Sequence, residues 1–90
     1  MVGSIPRGVP RSVFTAEYAE LRRLLIDARQ AAGVSQATLA ARLGRPQSFV
    51  SKFERGQRRL DVIEFLEITR ALKRDPIPIL RRLLVAARGA

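Results

Sequence analysis

The sequence predicts an all-α fold of four or five helices around one core. Three observations carry that prediction. Apolar residues recur three and four positions apart through most of the chain after Phe14, the spacing of one helix face. Thr15, Ser35 and Asp61 stand just ahead of these periodic runs, and their side-chain oxygens suit helix N-caps. Gly33, Gly44 and Pro46 fall between runs, where the chain has to turn. Ninety residues make one domain, with a core that is modest but sufficient for a helical bundle.

The elements follow in order. Residues 1–14 hold Gly3, Pro6, Gly8 and Pro10 with Arg7 and Arg11. That composition argues against a helix and for a flexible, extended arm, with Val13 and Phe14 anchoring its end on the core. Thr15 then caps a first helix from Ala16 to Ala32, with Glu17 in its first turn, where the helix dipole favours an anion. Tyr18, Leu21, Leu25, Ala28 and Ala32 mark its inner face, Leu24 and Ile26 flank that face, and Arg29 falls near it. Gly33 ends the helix. Ser35 caps a second helix, with Gln36 just inside. Leu39 and Leu43 share its inner face, and Ala40 is small enough for a crossing helix to approach closely. Gly44 makes the turn.

A third helix is expected from about Pro46 to Glu54, because proline suits a first turn whose N–H groups would be unpaired anyway. Val50 and Phe53 face inward. Gln47, Ser48, Ser51 and Lys52 face outward. Phe49 can serve as a core edge or meet an external apolar group. Asp61 caps a fourth helix running to about Lys73, with Glu64 in its first turn. Val62, Phe65, Leu66, Ile68, Thr69 and Leu72 cover most of its circumference, which suggests contacts on two sides. Asp75-Pro76 starts a fifth helix, with Pro78 in its first turn or delaying it. Ile77, Ile79, Leu80, Leu83, Leu84 and Ala87 make it too apolar for a lone surface element. It either closes the bundle or forms a dimer interface. The expected boundaries are an arm at 1–14, the domain at 15–87 and a tail at 88–90.

Charge bounds the partners. Seventeen basic residues against eight acidic ones give +9, and all but Lys52 and Lys73 of the basic residues are Arg, which suits bidentate contacts to phosphate or guanine. Such an excess favours a polyanion, and nucleic acid leads. From Arg42 to Arg59 six basic side chains face Glu54 alone, leaving +5 in eighteen residues. With no cysteine there is no disulfide, thiol nucleophile or thiolate site. With no histidine the commonest general base and metal ligand are missing. No apolar run approaches the roughly 18 residues of a membrane span, and no secretory signal pattern is present. The expectation is a soluble cytoplasmic protein without cofactor or metal. Asp27, Asp61, Glu64, Glu67 and Asp75 stand at capping or helix-surface spacings, so an enzyme is not expected.

Gln36, Leu39, Ala40, Leu43, Gly44, Val50, Phe53 and the closing Glu54-Arg55-Gly56 together resemble the helix-turn-helix of phage-repressor type, the Cro/C1 (Xre) family. The resemblance extends with lower specificity from about Leu21 to Leu84. It implies a lambda-repressor-like bundle whose second and third helices form the motif, in a bacterial or phage protein. It also implies an Arg29–Glu54 ion pair locking the first helix to the third, a Gln36 contact to a DNA phosphate, and backbone contacts from the loop after the third helix. The chain departs from common members at Arg45 and Pro46, where many have Ser or Thr. Proline offers no hydrogen bond there, so Arg45 is the candidate to supply the phosphate contact.

The residues on the third helix fit this picture on chemical grounds. Gln reads adenine bidentately, Lys reads guanine, and Ser is undiscriminating. The N-terminal end of such a helix enters the major groove. Gln47, Ser48, Ser51 and Lys52 are therefore the expected base contacts. Gln36, Arg45, Arg55, Arg58 and Arg59 are the expected phosphate contacts, and Phe49 can meet a thymine methyl if it is not core. The arm either places an Arg in the minor groove or does little. The expected function is sequence-specific binding of double-stranded DNA by a homodimer that represses transcription at a pseudo-palindrome. Ile77, Ile79, Leu80, Leu83 and Leu84 are the candidate dimer surface. The alternative is an antitoxin that also holds a toxin protein on its folded helices or arm.

Overall fold

The computed structural model describes residues 15–89, with side chains through residue 86. Five helices follow one another: α1 Ala16–Ala31, α2 Gln36–Leu43, α3 Gln47–Glu54, α4 Val62–Ala71 and α5 Pro76–Gly89. The arm expected at 1–14, with Arg7, Arg11, Val13 and Phe14, lies outside the described residues. α5 continues two residues past the expected end at Ala87, because Val85-Ala-Ala-Arg contains nothing that breaks a helix.

Local hydrogen bonding explains where the helices begin. The Thr15 hydroxyl accepts from the Tyr18 N–H at 3.1 Å, and the Ser35 hydroxyl from the Thr38 N–H at 3.0 Å. At α4 the Asp61 carboxylate accepts from the Glu64 N–H at 2.7 Å while Glu64 accepts from the Asp61 N–H at 3.0 Å, closing a capping box. α3 differs from the expectation by one residue. Pro46 is its N-cap, with φ −62° and an extended ψ of 152°, and only its carbonyl enters the helix, accepting from the Phe49 N–H. Asp75 accepts from the Ile77 N–H at 2.9 Å, so α5 opens at Pro76 with Pro78 inside its first turn.

Left-handed residues follow four helices: Gly33, Gly44, Gly56 and Lys73. Gly44 takes φ +67° between α2 and α3, the conformation expected of it. Lys73 takes φ +56° after α4, a conformation that costs a residue with a Cβ. It is held there because its N–H reaches the Arg70 carbonyl and the Arg74 N–H reaches that of Thr69. α4 therefore ends at Ala71, short of the expected Lys73.

Leu25, Leu39, Val50, Phe53 and Ile68 are fully buried and make the centre of the core. Val34, Phe49, Leu60, Phe65 and Leu72 surround them. Ala40 is also buried where α2 meets α3. α5 lies against α1, with Ile79 packed on the core. Ala32 falls beyond the end of α1 and is exposed, whereas Leu24, expected at the edge, is buried. Val62 points to solvent at 72% exposure, beside Ile63 at 64%. The inner side of α4 is thus Phe65, Ile68, Thr69 and Leu72. Among the described residues no helix is long and apolar enough to cross a membrane.

Candidate nucleic-acid interface

α3 has two faces set by helical spacing. Phe49, Val50, Phe53 and Glu54 are buried. Gln47, Ser48 and Lys52 are exposed and Ser51 is half-exposed, on the opposite side. Buried and outward pairs alternate along the helix, so the four expected base contacts share one surface. Phe49 belongs to the core edge, with its ring centroid 5.8 Å from that of Phe53. This excludes its role as an external apolar contact in this arrangement.

The inner face is anchored by a carboxylate. Glu54 receives Arg29 through two hydrogen bonds, Nε to Oε2 at 2.7 Å and Nη2 to Oε1 at 3.0 Å. Both side chains are largely buried, so the bidentate geometry offsets a real desolvation cost. Arg29 Nη1 also donates to the Val34 carbonyl at 2.9 Å, tying the α1–α2 turn to the same pair. Gln36, expected at a phosphate, turns its amide nitrogen to Glu54 Oε1 at 2.8 Å. Gln36 therefore joins the starts and ends of the two motif helices. Arg22, which the sequence reading passed over, donates to the Glu54 carbonyl at 2.8 Å and lies over Gly56. A Cβ built on Gly56 would stand 3.0 Å from the Arg22 guanidinium carbon, and Gly56 has φ +76°. The positive φ favours glycine, and a Cβ there would also press on the Arg22 guanidinium.

A second buried carboxylate, Glu64, organises the flanks of α3. Arg58 Nη1 and Nη2 donate to its two oxygens at 2.9 and 2.7 Å. Arg45 Nη1 reaches it at 3.4 Å, and Arg45 Nη2 stands 3.5 Å from Glu67. The two guanidinium carbons lie 4.4 Å (Arg45) and 4.8 Å (Arg58) from the Phe49 ring centroid, within cation–π range. Hydrogen bonding from Arg58 holds the Glu64 carboxyl below the usual carboxylate range, against the opposing effect of burial. The same contact raises the Arg58 guanidinium. Sequence reading missed this role of Glu64. It placed Asp61 as the cap and Glu64 in the first turn, but nothing in the chain signalled the two arginine partners of Glu64.

The remaining expected phosphate contacts sit outside that cluster. Arg55 is exposed and bends back to Ser51, to the carbonyl at 3.3 Å and the hydroxyl at 3.4 Å. Arg59 is exposed with its guanidinium 5.4 Å from the Tyr18 ring centroid. Tyr18 is buried, donates to the Arg58 carbonyl at 2.8 Å and accepts from the Leu60 N–H at 2.9 Å. Burial pushes its phenol above the ordinary value, against the hydrogen bond from Leu60. Tyr18 thus ties the Arg58–Leu60 part of the α3–α4 loop to α1.

Of the five residues expected at a dimer surface, α5 divides the set. Ile77, Leu80 and Leu84 form an exposed stripe at spacings of three and four, with Val85 beside it. Leu83 and Ile79 are half-buried, and Ile79 packs against the core. The helix closes the bundle with one face and leaves another apolar face in solvent.

A helix-turn-helix family model, HTH_3, matches residues 25–79. Among solved structures, the chain is similar to an XRE-family-like protein from Pseudomonas syringae pv. tomato, at 52% identity over 83% of this chain and 92% of that one, with a TM-score of 0.77. It is similar to the restriction-modification controller protein C.AhdI from Aeromonas hydrophila at 34% identity, covering 72% and 98%, with a TM-score of 0.66. The controller protein C.Esp1396I shares the fold at 18% identity, covering 81% and 96%, with a TM-score of 0.72. No curated protein sequence matches the chain. The family model spans more than half of the chain and contains the α2–turn–α3 unit just described. The chain belongs to the Xre-type helix-turn-helix family of DNA-binding transcription regulators.

Proposed function

We propose that this chain binds double-stranded DNA sequence-specifically as a twofold dimer and represses transcription by occupying a pseudo-palindromic operator. The observation that carries the reading is the outward face of α3. Gln47, Ser48, Ser51 and Lys52 lie together on it, while Arg29 and Glu54 hold the opposite face to α1. The side chains that can read base edges therefore sit on a rigidly mounted helix rather than a loop. Arg55 and Arg59 flank its C-terminal end and are assigned to phosphates, with Gln36 at the start of α2. Repression by occupancy requires no catalysis.

The dimer surface is assigned to the α4–α5 side. An apolar groove of about 220 Å³ runs between Leu21, Leu60, Val62, Phe65, Leu80 and Leu83. Exposed Val62, Ile63, Leu80 and Leu84 stand on or next to its lining. An apolar face of this kind favours association, and a second copy supplies a matching one under twofold symmetry. The half-sites would then lie about one helical turn, roughly 34 Å, apart.

Selection of bound duplexes from a random pool at near-physiological salt tests the reading. An enriched pseudo-palindrome supports a dimeric specific regulator. A single half-site would retain the recognition helix and refute the dimer. No enrichment would refute sequence-specific binding. On the enriched site, Gln47→Ala is expected to lower discrimination by about 1–3 kcal/mol and leave non-specific binding nearly unchanged. An equal loss on every duplex would refute base reading by Gln47.

A further inference from the structure

Sequence alone counts Arg45 and Arg58 among the cations offered to phosphate. Their geometry assigns them elsewhere. Arg58 gives two donors to the two oxygens of Glu64, at 2.9 and 2.7 Å, and a third contact to the Arg59 carbonyl at 3.1 Å. Arg45 approaches the same carboxylate from the α2–α3 turn at 3.4 Å. The Glu64 side chain is 9% exposed and is fixed from its other side by the Asp61 N–H. Both guanidinium groups rest near the Phe49 ring, and Phe49 is part of the buried face of α3.

Arg58 is 39% exposed at its side chain, but turning both Nη groups to a phosphate would draw them off a buried carboxylate. That would leave the Glu64 carboxylate with only Arg45 at 3.4 Å and the Asp61 N–H, a weakened pairing of a buried charge that opposes the move. We infer that Glu64 is a positioning residue that withdraws Arg58, and in part Arg45, from DNA and closes them as a clasp over Phe49. The clasp joins the turn before α3 to the loop after it, so both ends of the recognition helix are set by one carboxylate on α4. Phosphate contacts then fall to other residues, Arg55 and Arg59 among them. The inference rests on the DNA-binding reading and refines it.

Salt dependence separates a clasp from a phosphate contact, because each phosphate neutralised adds about 0.9 to the slope of log K against log salt on duplex DNA. The experiment measures binding of the full chain to one duplex of unselected sequence across a salt series. The proteins are wild type, Arg58→Gln, Glu64→Gln and Arg55→Ala. Arg58→Gln keeps an amide donor for Glu64. It is expected to leave the slope within about 0.3 of wild type, well under the value of one phosphate. Glu64→Gln frees the arginines and is expected to steepen the slope by about 0.9 for each one recruited. Arg55→Ala is expected to flatten it by about 0.9.

Thermal unfolding of each variant establishes that it is folded. Should Glu64→Gln fail to fold, Arg58→Gln decides alone. A slope flattened by about 0.9 in Arg58→Gln would overturn the clasp and restore Arg58 as a phosphate contact. An unchanged slope in a folded Glu64→Gln would overturn the withdrawal of both arginines. If wild type binds no duplex even at the lowest salt, the DNA-binding reading falls and the inference with it.

Discussion

Tyr18 shows how much one side chain can hold. Its hydroxyl pairs with the Arg58 carbonyl and the Leu60 N–H, forty and forty-two residues away along the chain. The Leu60 N–H is buried and takes its partner from α1. Tyr18→Phe keeps the ring and removes both hydrogen bonds. Leaving a buried amide unpaired is expected to cost about 1–3 kcal/mol, measurable as a lower urea midpoint with an unchanged slope. A loss below about 0.5 kcal/mol would mean that water or a loop shift replaces the hydroxyl. The sequence placed Tyr18 on the inner face of α1 by spacing alone. It could not tell that the phenol spans to the loop after α3, because that partner is a backbone group with no sequence signature. The same holds for Arg22. Its position on α1 is ordinary, and its role comes from the Glu54 carbonyl it bonds, another backbone partner, beside Gly56.

At the scale of elements, most of the helix limits were legible. Thr15, Ser35 and Asp61 cap because a side-chain oxygen one residue ahead of a helix meets an otherwise unpaired N–H. The exceptions have local causes. Pro46 takes an extended ψ of 152° and serves as N-cap through its carbonyl alone, so α3 starts one residue later than expected. Lys73 sits at a left-handed helix end that sequence reading assigned to helix. Lys73→Gly is expected to stabilise the domain by up to about 1 kcal/mol. The removed Cβ strain outweighs the extra freedom of glycine in the unfolded chain. Chemical denaturation checks this, and a destabilised variant would show that the Lys73 side chain contributes contacts of its own. α3 itself was read correctly as two-faced, since a four-residue repeat of buried pairs needs only helical geometry.

Across the whole molecule, burial divides the apolar residues into those that make the core and those left in solvent. Ile79 packs half-buried against the core while Ile77, Leu80 and Leu84 stay exposed. No periodicity argument on α5 alone could assign them, because the helix is apolar on more than one side. The proposed dimer places that exposed stripe and the start of α4 against a second copy. Wild type is then expected at twice its chain mass of 10.0 kDa in sedimentation equilibrium. Leu84→Glu, at 58% exposure, is expected to shift the chain to monomer with its melting temperature nearly unchanged at equal monomer fraction. Operator affinity should fall with the loss of the second half-site. A Leu84→Glu protein that stays dimeric would move the interface off this stripe.

The sequence by itself determined the helical fold, the helix-turn-helix unit and the outward face of α3, because helical periodicity, capping and turn chemistry are local. It also determined the surplus of positive charge. Only the tertiary structure decided which of those charges are available. Arg29 is taken by Glu54 and Arg58 by Glu64. A count of basic residues adds them all alike. Folding sorts them, because a buried carboxylate must be matched by a cation, and the cation that matches it depends on which helices cross there.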